Sequence, residues 1–579
     1  MRARLVTAAW VLAATAWLFV QLGYSFETND QVQYLLLPYR QIYADFLPGD
    51  WFTWRTSHYH VTFAWIVRAL HGLCGEGGLR YGVLAAHLAN LGLLSYAVLR
   101  LARGLGGGLL ESSLPLLVFG CARESGLGGA ILNHGCLLPS DLALAPFLLA
   151  CALAIERRTL GAAVWLGISG FLHANYAVLG PLVVGPLALV RRVPKLRELG
   201  VALAAYLLLA SPSLVLLVSS FLAGDRDPAA VAITLFVRSP HHYDLAYMLP
   251  LDFWWAGLLA ALALPAFVGP NALPERSARL QLCGLLLLLV AAGVLGTGLH
   301  LVSLSRLFTF RMSIPLLIVL WISLAQLGRA AVLRRDYLAC LWFVAALAAL
   351  GLFVRQDVML LGATDLTDPN PLAPPTVVWA GVLLPLAFAT LGQIVPLAKR
   401  RAALALTAFL PLVTCIALGL TPLGQTWTGA RLRPAHAFHF ADRRLALDPP
   451  DRDIYAKTRE LTPHDARILI APGLFEFRMR ARRSVFVDWK CTPMKGEEAS
   501  EWKRRMLAAM GTDDFPARGY ALPLAADAAY YARPLGDLVA LARREGMTHL
   551  LVRKTQLRRA MHGAEIVFTS GSFAALRVP

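Results

Sequence analysis

Long apolar stretches recur along this chain of 579 residues and constrain its fold more than any other feature. A helix needs about 20 mostly apolar residues to cross the hydrocarbon core of a membrane, which is about 30 Å thick. The stretch at 58–74 is interrupted by histidines and an arginine, which favours an amphipathic helix at the membrane surface. The others predict thirteen spans, at 5–22, 81–101, 108–120, 139–155, 159–176, 178–190, 199–221, 252–269, 280–300, 312–328, 336–354, 376–397 and 402–420.

The composition agrees with an integral membrane protein. Hydrophobic residues make up 57% of the chain and charged residues 16%, whereas soluble proteins have about 45–50% and about 25%. These values exclude an ordinary soluble enzyme and a disordered polyelectrolyte. The eight cysteines form no C-x-x-C pair, which argues against a disulfide scaffold and a zinc site.

Many of the basic residues behind the net charge of +18 lie in the predicted loops. Cytoplasmic loops of membrane proteins are short and rich in Lys and Arg. Every second predicted loop has this character, which places the N-terminus in the cytoplasm and the C-terminal segment outside. We therefore predict a multi-pass protein of the cell (inner) membrane. The basic groups are Arg2/Arg4, Arg100/Arg103, Arg157/Arg158, Arg191–Arg197, Arg276/Arg279, Arg329–Arg335 and Lys399–Arg401.

The chain changes character after the last predicted span. Residues 1–427 form the predicted transmembrane domain, and residues 428–579 a soluble extracytoplasmic α/β domain. Segments of alternating or continuous apolar residues at 466–472, 484–488, 548–554 and 573–579 predict strands. Helical patterns at 497–510 and 534–546 lie between them. The fold class is thus a polytopic α-helical membrane protein with a C-terminal α/β domain.

Ionisable side chains concentrate in the loops predicted to lie outside. Glu27 and Asp30 follow the first span directly, and Asp141 lies at the mouth of the fourth. Because all of them map to one membrane face, we expect many to meet in one outward-facing cavity. The other candidates, which we assign to substrate or phosphate binding, are His173, Arg238, His241, His242, Tyr243, Arg306 and Arg311; Asn133, His134, Asn175, Asp365 and Asp368 lie on the same side.

These residue types have a shared chemistry. Carboxylates beside histidines act as general bases or hold a divalent metal, and arginine forks suit phosphate. Together they predict a site for a phosphorylated, partly lipidic substrate. Each has a simpler alternative: acids that end a helix in water, arginines that reach the interface by snorkelling, and ordinary loop histidines.

The layout resembles the GT-C superfamily of membrane glycosyltransferases, in particular a bacterial branch of it. Three features carry the resemblance: about thirteen spans, a long first outer loop and an extracytoplasmic C-terminal domain. FETNDQVQYL at 26–35 is similar to the short acid-rich motif, followed by a Tyr, of that superfamily. The C-terminal domain lacks the WWDYG-type motif of oligosaccharyltransferases, which argues against protein N-glycosylation.

The resemblance implies roles for individual residues. Glu27 or Asp30 becomes the general base that activates an acceptor hydroxyl for inverting transfer, and Asp141 stands where the superfamily often has a second acid. Arg306 and Arg311 correspond to groups that hold the lipid phosphate. The first loop has E-x-x-D instead of an Asp-x-Asp pair. The choice of base and the participation of a divalent metal therefore stay open.

The predicted function is transfer of a hexosyl or pentosyl group from a polyprenyl-phosphate donor to an extracytoplasmic acceptor, which is a glycan, lipid or protein. Membrane lipids are the other expected partners, and nucleic acid is not needed to explain the basic charge. The main alternative is a transporter or flippase of a lipid-linked or anionic substrate. Transporters tend to have internal repeats and mid-membrane ionisable groups, neither of which this sequence displays. A membrane-anchored assembly protein is the third hypothesis.

Overall fold

The structure is a computed structural model that describes residues 2–347 and 451–579, with short gaps at 29, 59, 122–125, 133, 192–193, 223–226, 249, 269–272, 274 and 559–560. Several sequence predictions lie outside the described residues. They are the spans 376–397 and 402–420, the end of the span 336–354, the domain boundary after residue 427, and the residues Asn133, Asp365 and Asp368.

The first part of the chain is a bundle of apolar helices. Five helices in the described ranges are long and apolar enough to cross a membrane: Val61–Gly104, Ala174–Arg191, Leu196–Ser219, Arg276–Gly298 and Val302–Leu333. The remaining predicted spans that are described correspond to helices at Arg2–Leu22, Leu109–Cys121, Pro139–Ile155, Thr159–Leu172, Pro250–Ala263 and Tyr337–Leu347. The multi-pass helical fold is therefore confirmed, while the number thirteen stays a prediction.

Apolar side chains cover the outside of this bundle as well as its core. Leu208, Val215 and Leu288 are 76%, 64% and 67% exposed, each in the middle of a long apolar helix. In a soluble protein such contiguous apolar surface is rare, whereas lipid tails accept it readily. Short helices connect the bundle at one end: Gln31–Tyr34, Leu36–Ile42, Trp51–Arg55, Pro228–Ile233, Pro240–Tyr243 and Val302–Ser305.

The predicted surface helix at 58–74 and the predicted span at 81–101 form one continuous element with a break. Gly75 interrupts the helix Val61–Gly104 with φ 70° and ψ 178°. Only glycine adopts this backbone conformation without strain, because it lacks a Cβ atom. The helix is therefore kinked between the amphipathic pattern and the apolar span, while the surface position of its first part stays a prediction.

We expect Gly75→Ala to destabilise the protein by about 1–3 kcal/mol through backbone strain. Gly77→Ala is the matched control, because an added Cβ meets no atom within 4 Å at either position and only Gly75 has a positive φ. The control is expected to be neutral or slightly stabilising, since alanine favours helix. Thermal unfolding of the two variants in detergent measures the difference, and equal midpoints would contradict the strain argument.

Residues 451–579 form the α/β domain. Its strands are β1 (Arg467–Leu469), β2 (Ser484–Val485), β3 (His549–Arg553), β4 (Glu565–Ser570) and β5 (Phe573–Arg577), in the spatial order β2-β1-β3-β5-β4. β1 pairs in parallel with β2 and β3, and β5 pairs antiparallel with β3 and β4. The helices are Asp453–Leu461, Phe477–Ala481, Gly496–Met510, Ala521–Ala532 and Leu535–Arg544.

The sequence patterns located most of this domain. The four predicted strands and both predicted helices are present, but β4 and the helices Asp453–Leu461, Phe477–Ala481 and Ala521–Ala532 were missed. β4 contains the apolar residues Ile566, Val567 and Phe568, yet all of its residues except Ser570 are exposed or half-buried, so the strand does not show the alternation of a strand with one buried face. Its pairing with β5, which is buried along most of its length, makes it a strand.

The α/β domain packs on the connecting end of the helical bundle. Met479 and Cys491 share one apolar core with Val32, Leu35 and Phe52 of the first long loop. We call this end of the bundle, where residues 451–579 lie, the capped end. The candidate residues of the first, second and fourth predicted outer loops all lie at the capped end, so the domain and the loops form the site together.

Candidate active site

A cavity of about 230 Å³ opens between the bundle and the α/β domain at the capped end. Its lining combines apolar side chains such as Leu144 and Ile314 with polar and charged side chains. Its walls come from residues at 30–37, 52–60, 129–144, 176, 234–243, 308–314 and 492–494. The predicted convergence of distant loops on one site is therefore present for part of the candidate set.

Asp30 is the carboxylate that lines this cavity. It precedes the short helix Gln31–Tyr34, and its Oδ1 atom lies 2.5 Å from Nζ of Lys490 in the α/β domain. Burial raises the pKa of Asp30, but Lys490, His134 and Arg238 lower it more, so it lies well below its usual range. Asp30 is thus a charged, partly buried carboxylate beside the open space.

Glu27 lies outside the residues that line the cavity. Its Oε1 atom accepts a hydrogen bond from the Tyr39 hydroxyl at 2.6 Å and pairs with Arg482 of the α/β domain at 2.5 Å. Its backbone N–H donates to Oε1 of Gln31 at 2.9 Å, and its φ is 58°. These contacts suit a residue that shapes the loop before Asp30. The geometry therefore separates two acids that the sequence pattern left equivalent.

Asp141 acts through a histidine. Its carboxylate is buried and lies 2.8 Å from Nδ1 of His134, and it also accepts the His134 backbone N–H at 3.0 Å. Burial lowers the pKa of His134, but the charge of Asp141 and the hydrogen bond to it raise it more, above the usual value. His134 lines the cavity, so the pair presents an imidazole that favours the cationic form.

Arg238 and Arg311 add two permanent positive charges to the cavity wall. The Arg238 guanidinium donates to Ser239 Oγ at 2.7 Å and to the Lys490 carbonyl at 3.2 Å. The Arg311 guanidinium lies 5.1 Å from the centre of the Phe308 ring. Within the described part of the chain, its buried Nε atom has no hydrogen-bond partner. Arg311 is thus a half-buried cation whose buried Nε atom has unused donor capacity, as an anion site requires.

The remaining candidates divide into two groups. His242 and Tyr243 line the cavity; the His242 ring donates from Nδ1 to the Gly128 carbonyl at 2.7 Å, and burial lowers its pKa to about 4. His241, His173 and Arg306 lie behind the wall. His241 stacks on Tyr520 with ring centres 4.2 Å apart, and Arg306 donates to the Met494 carbonyl at 3.0 Å. These contacts suit supporting roles.

Sequence reasoning missed the contribution of the α/β domain. Thr492, Pro493 and Met494 line the cavity, and Lys490 contacts Asp30. Nothing in the local pattern around Lys490 marks it, because its partner lies in the first loop, at the other end of the chain. His58 and His60, which also line the cavity, belong to a segment that the sequence predicted as a surface helix.

A buried ion network joins the two parts that enclose the cavity. Nε of Arg478 donates to Asp50 Oδ2 at 2.9 Å, and its Nη1 pairs with Asp488. The three side chains are 2%, 0% and 1% exposed. The Asp50 carboxylate also accepts backbone N–H groups of Thr53 and Val485, at 2.8 and 3.1 Å. Because Asp50 belongs to the first loop, the network fixes the α/β domain against the bundle.

We expect Arg478→Leu to destabilise the protein by about 3–5 kcal/mol, because it leaves two buried carboxylates without a counter-ion. Arg504→Leu is the matched control in the same domain, since Arg504 forms only exposed pairs with Glu501 and Glu545 and its loss costs at most about 1 kcal/mol. Thermal unfolding and limited proteolysis between the two domains measure both variants. Similar losses in both would argue against the network as the domain anchor.

Metal ligation was left open by the sequence. Over the ranges that the structure describes, no group of three or more His, Cys, Asp or Glu side chains is arranged to hold a metal ion.

Comparisons with known proteins concern the whole chain and one segment of it. Residues 450–509 match a family model described as a domain of unknown function, DUF6798. None of the curated proteins compared with the chain matches it. The matched segment includes Arg478, Asp488 and Lys490, and therefore the contacts between the α/β domain and the first loop.

Solved structures with similar folds cover most of the chain. One is ArnT from Cupriavidus metallidurans bound to undecaprenyl phosphate, with 16% identity, 98% of this chain and 97% of that chain covered, and a TM-score of 0.48. Another is the oligosaccharyltransferase of Archaeoglobus fulgidus in the apo form, with 10% identity, 94% and 69% covered, and a TM-score of 0.44. At these identities and scores, the likeness does not extend to donor, acceptor or individual residues.

Proposed function

We propose that the chain is a membrane glycosyltransferase that moves a sugar from a polyprenyl-phosphate donor to an acceptor outside the cytoplasm. The observation that carries the proposal is the set of charged side chains that line the cavity. One ionised carboxylate, Asp30, faces the same space as the guanidinium groups of Arg238 and Arg311 and as His134, whose pKa is raised by Asp141. A base beside an anion site is what transfer from a sugar phosphate requires.

The arrangement accounts for each part of such a donor. Leu144, Ile314 and Phe308 line the cavity where it meets the bundle, and they suit the first isoprene units of a lipid tail. Arg311 and Arg238 are the proposed ligands of the phosphate, because a guanidinium matches phosphate geometry and stays charged at any physiological pH. The polar remainder of the cavity takes the sugar.

The reaction then needs few protein groups. The acceptor hydroxyl gives its proton to the Asp30 carboxylate while its oxygen attacks the anomeric carbon of the sugar. The bond from that carbon to the phosphate oxygen breaks, and the electron pair leaves with the polyprenyl phosphate. The cations stabilise the charge that develops on the departing oxygen, and the configuration at the anomeric carbon inverts. A lipid phosphate leaves without protonation, so a second acid is not needed at that step.

The other candidates take positioning roles in this proposal. Asp141 keeps His134 oriented and cationic, and Glu27 holds the loop before Asp30 through Tyr39 and Arg482. His242 and Tyr243 shape the wall next to the phosphate ligands. The sidedness of the reaction follows from the basic loops: the α/β domain and the cavity share one end of the bundle, which the charge pattern places outside the cytoplasm.

Asp30→Asn is expected to lower the transfer rate about 10²- to 10⁴-fold, because it removes the base and keeps the shape of the side chain. The measurement is release of free polyprenyl phosphate from a set of synthetic polyprenyl-phosphate hexoses and pentoses, by the full-length protein in membrane vesicles. Asp45→Asn is the control, since Asp45 lies in the same loop, its side chain is 78% exposed, and among the described residues its ion-pair partner is His464.

Two outcomes contradict these assignments. Full release by Asp30→Asn would remove Asp30 as the base. No release by the wild-type protein from any of these donors, together with accumulation of an intact lipid-linked sugar on the opposite side of the vesicle, would favour a flippase.

Arg311→Met is expected to weaken donor binding about 10- to 100-fold, since a charge-assisted hydrogen bond contributes about 1.5–3 kcal/mol. Arg306→Met is the contrasting variant: Arg306 contacts the Met494 carbonyl and does not line the cavity, so its effect on donor KM is expected to be much smaller. Donor KM in the release assay measures both. A larger effect from Arg306 would contradict this difference and favour Arg306 as a phosphate ligand, a role that the sequence resemblance implies for both arginines.

A further inference from the structure

A short segment of the α/β domain covers one side of the cavity. We call residues 488–494 the cover segment; it lies within the matched domain of unknown function. Its first residue, Asp488, belongs to the buried network with Arg478, and its last residue accepts a hydrogen bond from Arg306 through the Met494 carbonyl. Both ends are thus attached, one of them directly to the helical bundle.

The middle of the cover segment is held through its backbone. The Thr492 carbonyl accepts from Gln33 Nε2 at 3.4 Å, and the Lys490 carbonyl accepts from Arg238 at 3.2 Å. The Arg238 guanidinium also lies 4.7 Å from the centre of the Trp489 ring. Because these hydrogen bonds hold the backbone, the Lys490 side chain is the charged group of the segment that can move. Its ammonium group contacts the Asp30 carboxylate.

The pair between Lys490 and Asp30 conflicts with the role of a base. A carboxylate that holds an ammonium group at 2.5 Å is stabilised in its charged form and takes a proton poorly. Burial alone acts in the opposite direction and raises the pKa of Asp30. If the ammonium group moves away, Asp30 becomes a stronger base without any movement of its own.

A phosphate in the cavity is a competitor for that ammonium group. Lysine carries a compact charge on a flexible four-carbon stem, so it changes partner with little rearrangement. Arg238 contacts the backbone of Lys490, which places the proposed phosphate ligand directly beside the lysine. A bound phosphate also increases the negative charge near Asp30, which further raises the affinity of that carboxylate for a proton.

We propose that Lys490 is a donor-phosphate ligand contributed by the α/β domain, and that it leaves Asp30 when the phosphate binds. This inference rests on the proposed function and deepens it. It assigns a task to the matched domain of unknown function: binding of the donor frees the base, so that Asp30 is strong only when a sugar is in place. In an empty site, water and other hydroxyl groups are therefore exposed only to a weakly basic Asp30 carboxylate.

Donor-lipid binding tests the proposal without knowledge of the sugar. The probe is undecaprenyl phosphate, titrated into the full-length protein in lipid nanodiscs, with undecaprenol as the lipid without phosphate. Lys490→Met is expected to weaken binding of the phosphate about 10- to 100-fold and Lys490→Arg by less than about threefold. Lys495→Met is the control, because Lys495 lies directly beyond the cover segment and the ion pair to Asp30 is formed by Lys490.

The number of protons taken up on binding distinguishes a lysine that changes its partner from a lysine in a purely structural ion pair. Asp30 faces Lys490, Arg238, His134, His242 and Tyr34. Calorimetry at pH 6 in two buffers of different ionisation enthalpy measures protons taken up when undecaprenyl phosphate binds. The wild-type protein is expected to take up more protons than Asp30→Asn or Lys490→Met, because in both variants the exchange of partners is lost. The contribution of the other groups is common to all three proteins.

Each outcome has one meaning. If the wild-type protein binds undecaprenyl phosphate no better than undecaprenol, the proposed donor class fails. If it binds the phosphate lipid but Lys490→Met binds equally well, only the role of Lys490 fails. Should Lys490→Met not fold, as judged by thermal unfolding, Asp30→Asn decides: it keeps Lys490 and releases it from its partner, so it must bind the phosphate more tightly than the wild-type protein. Unchanged or weaker binding would overturn the proposal.

Discussion

The buried contact of Arg478 with Asp50 and Asp488 is the interaction on which the site depends. Three charged side chains at or below 2% exposure are stable only together, because each carboxylate without the arginine is a desolvated charge. One partner lies in the first loop and the others in the α/β domain. Because both carboxylates must contact Arg478, the network fixes the distance between the first loop and the α/β domain. The cavity that they enclose, and the position of Asp30 beside Lys490, follow from it.

Charge balance inside the cavity explains why several basic groups coexist there. Arg238, Arg311 and His134 line the wall with one carboxylate, Asp30. Such an excess of positive charge is unfavourable in an empty, partly buried space and becomes favourable when an anion enters. The ammonium group of Lys490 pairs with Asp30 and adds one more positive charge beside the cavity. A bound phosphate supplies the negative charge that these cations lack, which makes binding and activation of the base parts of one electrostatic exchange.

The sequence patterns predicted well those elements whose apolar residues are determined by the surrounding lipid or water. The bilayer requires long apolar helices, so the helices Arg276–Gly298 and Ser313–Leu333 coincide closely with predicted spans. Alternation of apolar residues located β1, β3 and β5. Asp30, Arg238 and Arg311 were candidates because they lie in predicted outer loops or at the ends of spans, where ionisable groups are informative, and all three line the cavity. The strand β4 was missed, since its outer face is solvated and its pairing with β5 is not visible in its own residues.

The sequence by itself determined that the protein lies in a membrane, that its first part is helical, that an α/β domain follows, and which types of residue are available for chemistry. Only the tertiary structure decided which of those residues meet. Glu27 and Asp30 are three positions apart and chemically alike, yet one pairs with Arg482 and the other faces the cavity beside Lys490. The physical reason is that hydropathy acts on each segment alone, whereas ion pairs and cavities arise from contacts between segments that are distant in the chain.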